Sequence, residues 1–200
     1  MNHTVGRDRG RPAAGRRFRE GLWAMLAAAL VIALMRTAVF MSFYISSGSM
    51  QPALERGDFV LVNQFVYRLH PPRRGDVIVF QYPQHEGWDF VKRVVGLPGD
   101  LVAARDGRLW VNETPVSEPE VLRVADGVGP TLGVGGGRVP SRQLFVLGDN
   151  RGASLDSRFW GFVKYDDFVG RALIIYFSWN GMASDPLHYI RWTRIGRLIR

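Results

Sequence analysis

From Gly21 to Met35 the chain runs fifteen residues without a charge, and this stretch divides it into two parts that must fold by different rules. Ahead of it, Met1 to Glu20 is polar and carries Arg7, Arg9, Arg11, Arg16, Arg17 and Arg19 against only Asp8 and Glu20. Such a segment has too little apolar surface to offset the entropy of ordering, and it reads as a disordered basic tail. Behind the run Arg36 interrupts, and apolar residues resume from Thr37 to Ile45. A helix that spans a bilayer needs roughly 20 residues. One from about Phe18 to about Ser42 meets that length if Arg36 extends its guanidinium to the far interface. The expected organisation is a tail over 1–20, a transmembrane anchor over 21–45 and a body over 46–200. The arginine excess keeps the tail in the cytoplasm and exports the body. A cleaved secretory signal would share the short core Leu26 to Leu34, but no good small-x-small site follows it. A buried soluble helix would not be apolar on every face.

The net charge of +8 sits mostly on arginines at the two ends, with no basic stripe interleaved with aromatics between them. That distribution suits anionic lipid head groups and argues against nucleic acid as a partner. Cysteine is absent, which removes disulfides, thiolate nucleophiles and cysteine-bound metals together.

Beyond residue 46 the pattern is mostly β. Short runs of valines and aromatics are separated by Gly, Pro and Asp: 57–67, 77–82, 89–95, 143–147 and 168–177 read as strands. Turns are expected at 71–76, 83–87 and 96–100, and Asp106-Gly107 signals a hairpin. The segment from Ser117 to Arg142 is richer in Gly and Pro, with a loose loop expected at Gly133 to Gly137.

Two stretches of this body carry chemistry. In Ile45-Ser46-Ser47-Gly48-Ser49-Met50-Gln51-Pro52-Ala53-Leu54, glycine and proline hold small hydroxyl residues in an irregular turn. A serine there is either an ordinary loop residue or a nucleophile, and a nucleophile needs a base. His3, His70, His85 and His188 all lie in tail, turn or loop contexts that favour surface residues. No Gly-x-Ser-x-Gly elbow surrounds Ser49, and no lysine stands three residues after it. Lys92 differs. Strand alternation in Asp89-Phe-Val-Lys-Arg-Val-Val95 puts Phe90, Lys92 and Val94 on one face and Val91, Arg93 and Val95 on the other. One of two adjacent basic residues must therefore point where apolar neighbours point. A lysine tolerates that by losing its charge, which an arginine does not do. To act as a base its pKa must fall from about 10.4 to near neutrality; a surface lysine on an edge strand is the alternative. The stretch from Gly148 to Gly161 is denser in hydrogen-bonding residues than a turn requires. It contains Ser154, able to orient a lysine amine, and an Asp156–Arg158 pair, though an elaborate Asx-type turn would use similar residues.

Taken together, Ser47-Gly-Ser-Met-Gln-Pro-Ala-Leu54, Gly57-Asp-Phe-Val-Leu-Val62, Arg74-Gly-Asp76 through Lys92-Arg-Val-Val-Gly-Leu-Pro-Gly-Asp100, and Gly148-Asp-Asn-Arg151 through Ser154, Asp156-Ser-Arg158 and Trp160-Gly161 resemble the boxes of bacterial type I signal peptidases. The similarity runs from Val31 to the C-terminus. It implies a signal-peptidase-like antiparallel β fold, related to that of the self-cleaving repressors, with a small inserted subdomain at about Leu101 to Arg142, in the bacterial cytoplasmic membrane with the body on its outer, periplasmic face. It implies no cofactor or metal, signal peptides of exported preproteins as substrates, Ser49 as nucleophile and Lys92 as general base. Ser47 and the Ser49 N–H would face the oxyanion, Ser154 would position the lysine, and Asp156 and Arg158 would support it. Phe43, Ile45, Met50, Leu54, Val60, Val79 and Val91 would line pockets for alanine-sized residues. Ser46 stands where the family has proline and Ala53 where it commonly has threonine. A self-cleaving Ser/Lys protease and a membrane-tethered β module that only binds are the rival readings.

Overall fold

The computed structural model describes residues 14–85, 87–105, 108–116, 137–181, 183, 185 and 188–200. It divides into two units, Met1–Ala38 and Val39–Arg200. The first contains nearly all of helix α1, Ala14–Val39. On its described surface Leu22, Trp23, Met25, Leu26 and Leu30 are exposed, as expected of a helix without a polar-inward stripe. Among the described residues no helix is long and apolar enough to cross a membrane.

Helix α1 stops three residues short of the Ser42 expected from the apolar pattern. Phe40–Tyr44 instead forms strand β1. The cause is a partner: β2, Asp58–Asn63, pairs antiparallel with β1 from Phe40 opposite Asn63 to Tyr44 opposite Phe59. The aromatic residues Phe40, Phe43 and Tyr44 suit an extended chain better than a helix once that ladder is on offer. Strand β2 also ends earlier than its pattern suggested. The Asn63 side chain accepts the Phe65 and Val66 N–H groups and starts the short helix α2, Val66–Leu69.

The body continues with β3, Val77–Gln81; β4, Asp89–Gly96; β5, Leu101–Arg105; β6, Arg108–Val111; β7, Thr114–Pro115; β8, Gly137–Arg138; and β9, Gln143–Leu147. Helix α3, Ser157–Trp160, then leads to β10, Val163–Lys164, and the long β11, Phe168–Ser178. Seven strands form one sheet in the order β1-β2-β11-β3-β4-β9-β10, and four form a second in the order β7-β6-β5-β8. Every pairing is antiparallel. The four strands of the second sheet fall between Leu101 and Arg138; the turn at Asp106-Gly107 and the loop at Gly133 to Gly136 lie outside the described residues.

Alternation does the packing. Along β2, Val60 and Val62 turn inward beside Val77 and Val79 of β3 and Ala172 and Ile175 of β11, and Ile45, Met50 and Leu54 pack onto the same cluster. The serine stretch is thus anchored by its own apolar residues. At its far end it is held by charge: Asp58, fully buried, accepts hydrogen bonds from Arg194, from Ser178 Oγ and from the Glu55 N–H. Burial alone would raise the Asp58 carboxyl, but these donors hold it below the usual carboxylate range. Arg194 also donates to the Ala53 carbonyl and to Glu55, tying the C-terminal segment to the loop after Ser49.

Candidate active site

Ser49 lies in a turn closed by the Gln51 N–H donating to the Gly48 carbonyl at 3.2 Å and the Leu54 N–H to the Met50 carbonyl at 2.8 Å. Met50 and Leu54 are sunk in the core, and the serines of the turn line the cleft. Lys92 stands on the central part of the sheet, opposite Ile78 of β3. Its Nζ donates to Ser49 Oγ at 3.0 Å and to the Val91 carbonyl at 3.0 Å, and it lies 5.0 Å from the centre of the Phe90 ring. The side chain is buried; burial lowers its pKa from 10.5 to about 8, against the opposing attraction of Asp156 and Asp149. Ser47 Oγ is 3.2 Å from Ser49 Oγ.

The neighbouring arginine takes the other face. Arg93 donates from Nε and Nη2 to the two Asp149 oxygens at 2.7 and 2.6 Å, and from Nη1 to the Gly75 and Arg200 carbonyls. Asp149 follows Gly148, whose place only glycine can fill, since a Cβ there would collide with Ser154 Oγ and the Ser49 carbonyl. Asp156 and Arg158 form a buried two-bond pair, Nε to Oδ1 at 2.7 Å and Nη2 to Oδ2 at 3.0 Å. Asp156 Oδ2 also accepts the Gly148 N–H, and Arg158 donates to the Arg151 carbonyl, so the pair stiffens the whole loop.

Ser154 departs from its expected contact. Among the described residues its buried Oγ has no hydrogen-bond partner, and the lysine amine uses the Val91 carbonyl instead. The register supplies the reason. Strand β9 ends at Leu147, opposite Arg93, so beyond that point its ladder no longer competes for the β4 main chain.

A cleft of about 310 Å³ opens on the serine and lysine. Of the seven residues expected to line it, Ile45, Met50 and Val91 do so. Leu54, Val60 and Val79 do not: they are fully buried behind the wall and support it, and half-buried Phe43 packs against the same core. Tyr44, Ser46, Asp89, Phe90, Ala153 and Leu155 complete the lining, a set that the sequence reading missed. Leu155 and Ala153 flank Ser154 in sequence, and that adjacency was the available signal. None of the residues lining the cleft is a histidine. Among the described residues no three His, Cys, Asp or Glu side chains are grouped as a metal site requires.

One cleft of the antiparallel β body thus brings the buried amine of Lys92 within 3.0 Å of the Ser49 hydroxyl. The family model described as signal peptidase, peptidase S26, matches residues 18–179, and the chain belongs to that family. It is a peptidase, a peptide-bond hydrolase. Signal peptidase I of Bacillus caldolyticus is 41% identical over 170 residues, covering 80% of this chain and 92% of its own. Signal peptidase I of Leptolyngbya laminosa is 37% identical over 188 residues, covering 89% and 90%. A crystal structure of a signal peptidase I from Enterococcus faecalis, 35% identical, covers 51% of this chain and 97% of its own at a TM-score of 0.45.

Proposed function

We propose that the chain removes N-terminal signal peptides from exported preproteins, cutting after small residues, with Ser49 as nucleophile and neutral Lys92 as general base. The observation that carries this reading is the 3.0 Å contact between Lys92 Nζ and Ser49 Oγ inside the cleft. A pKa of about 8 leaves a useful share of the amine neutral near physiological pH.

The neutral amine takes the Ser49 hydroxyl proton as Oγ attacks the scissile carbonyl carbon. The carbonyl oxygen becomes an oxyanion, which the Ser47 hydroxyl and the Ser49 N–H receive. When the tetrahedral species collapses, the peptide C–N bond breaks and the lysine ammonium returns its proton to the leaving nitrogen. Water, deprotonated by the same amine, then hydrolyses the acyl ester and frees Ser49. Ile45, Met50 and Val91 give the cleft an apolar wall, and its small volume fits short side chains before the scissile bond. The Asp156–Arg158 pair keeps the loop with Asp149 in place beside the lysine.

We assign the segment around Gly21 to Met35 the role of anchor in a bacterial cytoplasmic membrane, with the tail cytoplasmic and the body outside. The charge-free run and the arginine-rich tail support this. The test is processing of a preprotein by the full chain in detergent. Wild type should release a signal peptide ending in a small residue, while Ser49→Ala and Lys92→Ala should release none; turnover by either variant overturns the assignment. Protease added to spheroplasts should digest the body, and protection of the body would overturn the topology.

A further inference from the structure

Asn150 begins the 3-10 turn Arg151–Ala153, a position where an asparagine ordinarily spends its side chain capping its own loop. Here it makes no such cap. Its Nδ2 donates instead across the fold to the Gly48 carbonyl at 3.2 Å, while its main-chain N–H donates to the Ser49 carbonyl at 3.0 Å. One residue therefore grips both peptide groups that flank Ser49.

The grip matters because of what lies on the other side of the first peptide. In a trans peptide the C=O and N–H are coplanar and point in opposite directions, so fixing the Gly48 oxygen fixes the direction of the Ser49 N–H. Gly48 offers little resistance of its own to rotation of that plane. Its carbonyl has one local partner, the Gln51 N–H at 3.2 Å, and that bond moves with the turn. Asn150 supplies the anchor from outside the turn, on the loop stiffened by Asp156 and Arg158. We infer that Asn150 is a positioning residue for the oxyanion site: its side-chain amide holds the Gly48–Ser49 peptide with the Ser49 N–H turned to the cleft. This rests on the reading of Ser49 and Lys92 given above.

The test uses the full chain in detergent with variants Asn150→Ala and Asn150→Asp. Aspartate keeps the shape but turns the donor into a charged acceptor facing the Gly48 carbonyl, alanine removes the donor without adding charge, and both variants keep the main-chain bond to Ser49. Rates are read on the alkaline plateau, so that a shift in the lysine does not enter. Each variant should lose about 10- to 100-fold in kcat with KM within about twofold, because a donor is misdirected and not deleted. Affinity for a short peptide aldehyde ending in alaninal, which forms a hemiacetal oxygen at the oxyanion position, should fall by a similar factor. For Asn150→Ala the acidic midpoint of the pH profile should not move. Wild-type kcat in Asn150→Asp overturns the inference, and so does a raised KM with kcat and aldehyde affinity intact. Ser49→Ala is run alongside. If it is inactive while the Asn150 variants are normal, only the positioning role fails; if it keeps turnover, the underlying reading fails as well.

Discussion

Replacing Lys92 with Met should abolish turnover and at the same time make the protein more stable at neutral pH. Burial lowers the amine from 10.5 to about 8. At about 1.4 kcal/mol per tenfold, the difference of about 2.5 between those values means that charging the folded lysine at pH 7 costs roughly 3 kcal/mol relative to the unfolded chain. Methionine matches the length of the side chain and removes that cost. It also gives up the hydrogen bonds to Ser49 Oγ and the Val91 carbonyl, each worth about 1 kcal/mol, which leaves a net gain of roughly 1 kcal/mol at pH 7. The pH dependence has a definite sign. The folded pKa lies below the unfolded one, so between about 8 and 10.5 the unfolded chain binds more protons and the wild type gains stability as pH rises. The advantage of the variant should therefore shrink and reverse within that window. Urea denaturation of both proteins at pH 7 and pH 10.5 reads this as a crossing of midpoints at unchanged slope. A variant less stable at pH 7, by a margin that does not change with pH, would refute the claim that the lysine is held against its preference for water.

Other substitutions probe the surrounding parts. Lys92→Arg should be inactive in a preprotein assay, because a guanidinium stays protonated and supplies no base. Asp58→Asn should lose roughly 1.5–3 kcal/mol in urea denaturation, since it removes the fully buried carboxylate from the Arg194 pair and leaves that guanidinium only Glu55. Ser154→Ala should not lower the thermal midpoint, because the buried hydroxyl forms no bond that could be lost; a drop worth more than about 1 kcal/mol would reveal a partner. Arg93→Lys should reduce activity and stability together, a single ammonium being unable to reproduce the two-pronged contact with Asp149, and measured kcat and thermal midpoint should fall in parallel.

Strand alternation made Lys92 a candidate, because one of Lys92 and Arg93 must turn inward and only lysine can discharge there, but its pairing with Ser49 was given by the resemblance of the motifs and not by local pattern. Alternation also located β3, β4, β9 and β11 to within a residue or two. The strand at Phe40–Tyr44 was not readable locally: its apolar and aromatic residues serve a helix or a strand equally, and the choice is made by pairing with β2, a partner beginning fourteen residues beyond Tyr44. Leu54, Val60 and Val79 were misplaced for a related reason, since an apolar side chain does not say whether it forms a wall or supports one. The lysine's second acceptor is a main-chain carbonyl, which no residue type announces. Asn150 was only one residue of a polar stretch that an Asx-type turn could explain, and its reach to Gly48 depends on two loops a hundred residues apart meeting in the fold.

The central claim is that a neutral lysine, and no histidine, activates Ser49. The most direct measurement is kcat/KM against pH for preprotein cleavage, in wild type and in a variant with His70, His85 and His188 all replaced by Gln. Neutral lysine is the active form, so kcat/KM should rise with pH as a single proton is lost at about 8, with the same midpoint in both proteins. A profile flat through that range, or an acidic limb that moves when the histidines are removed, would contradict it.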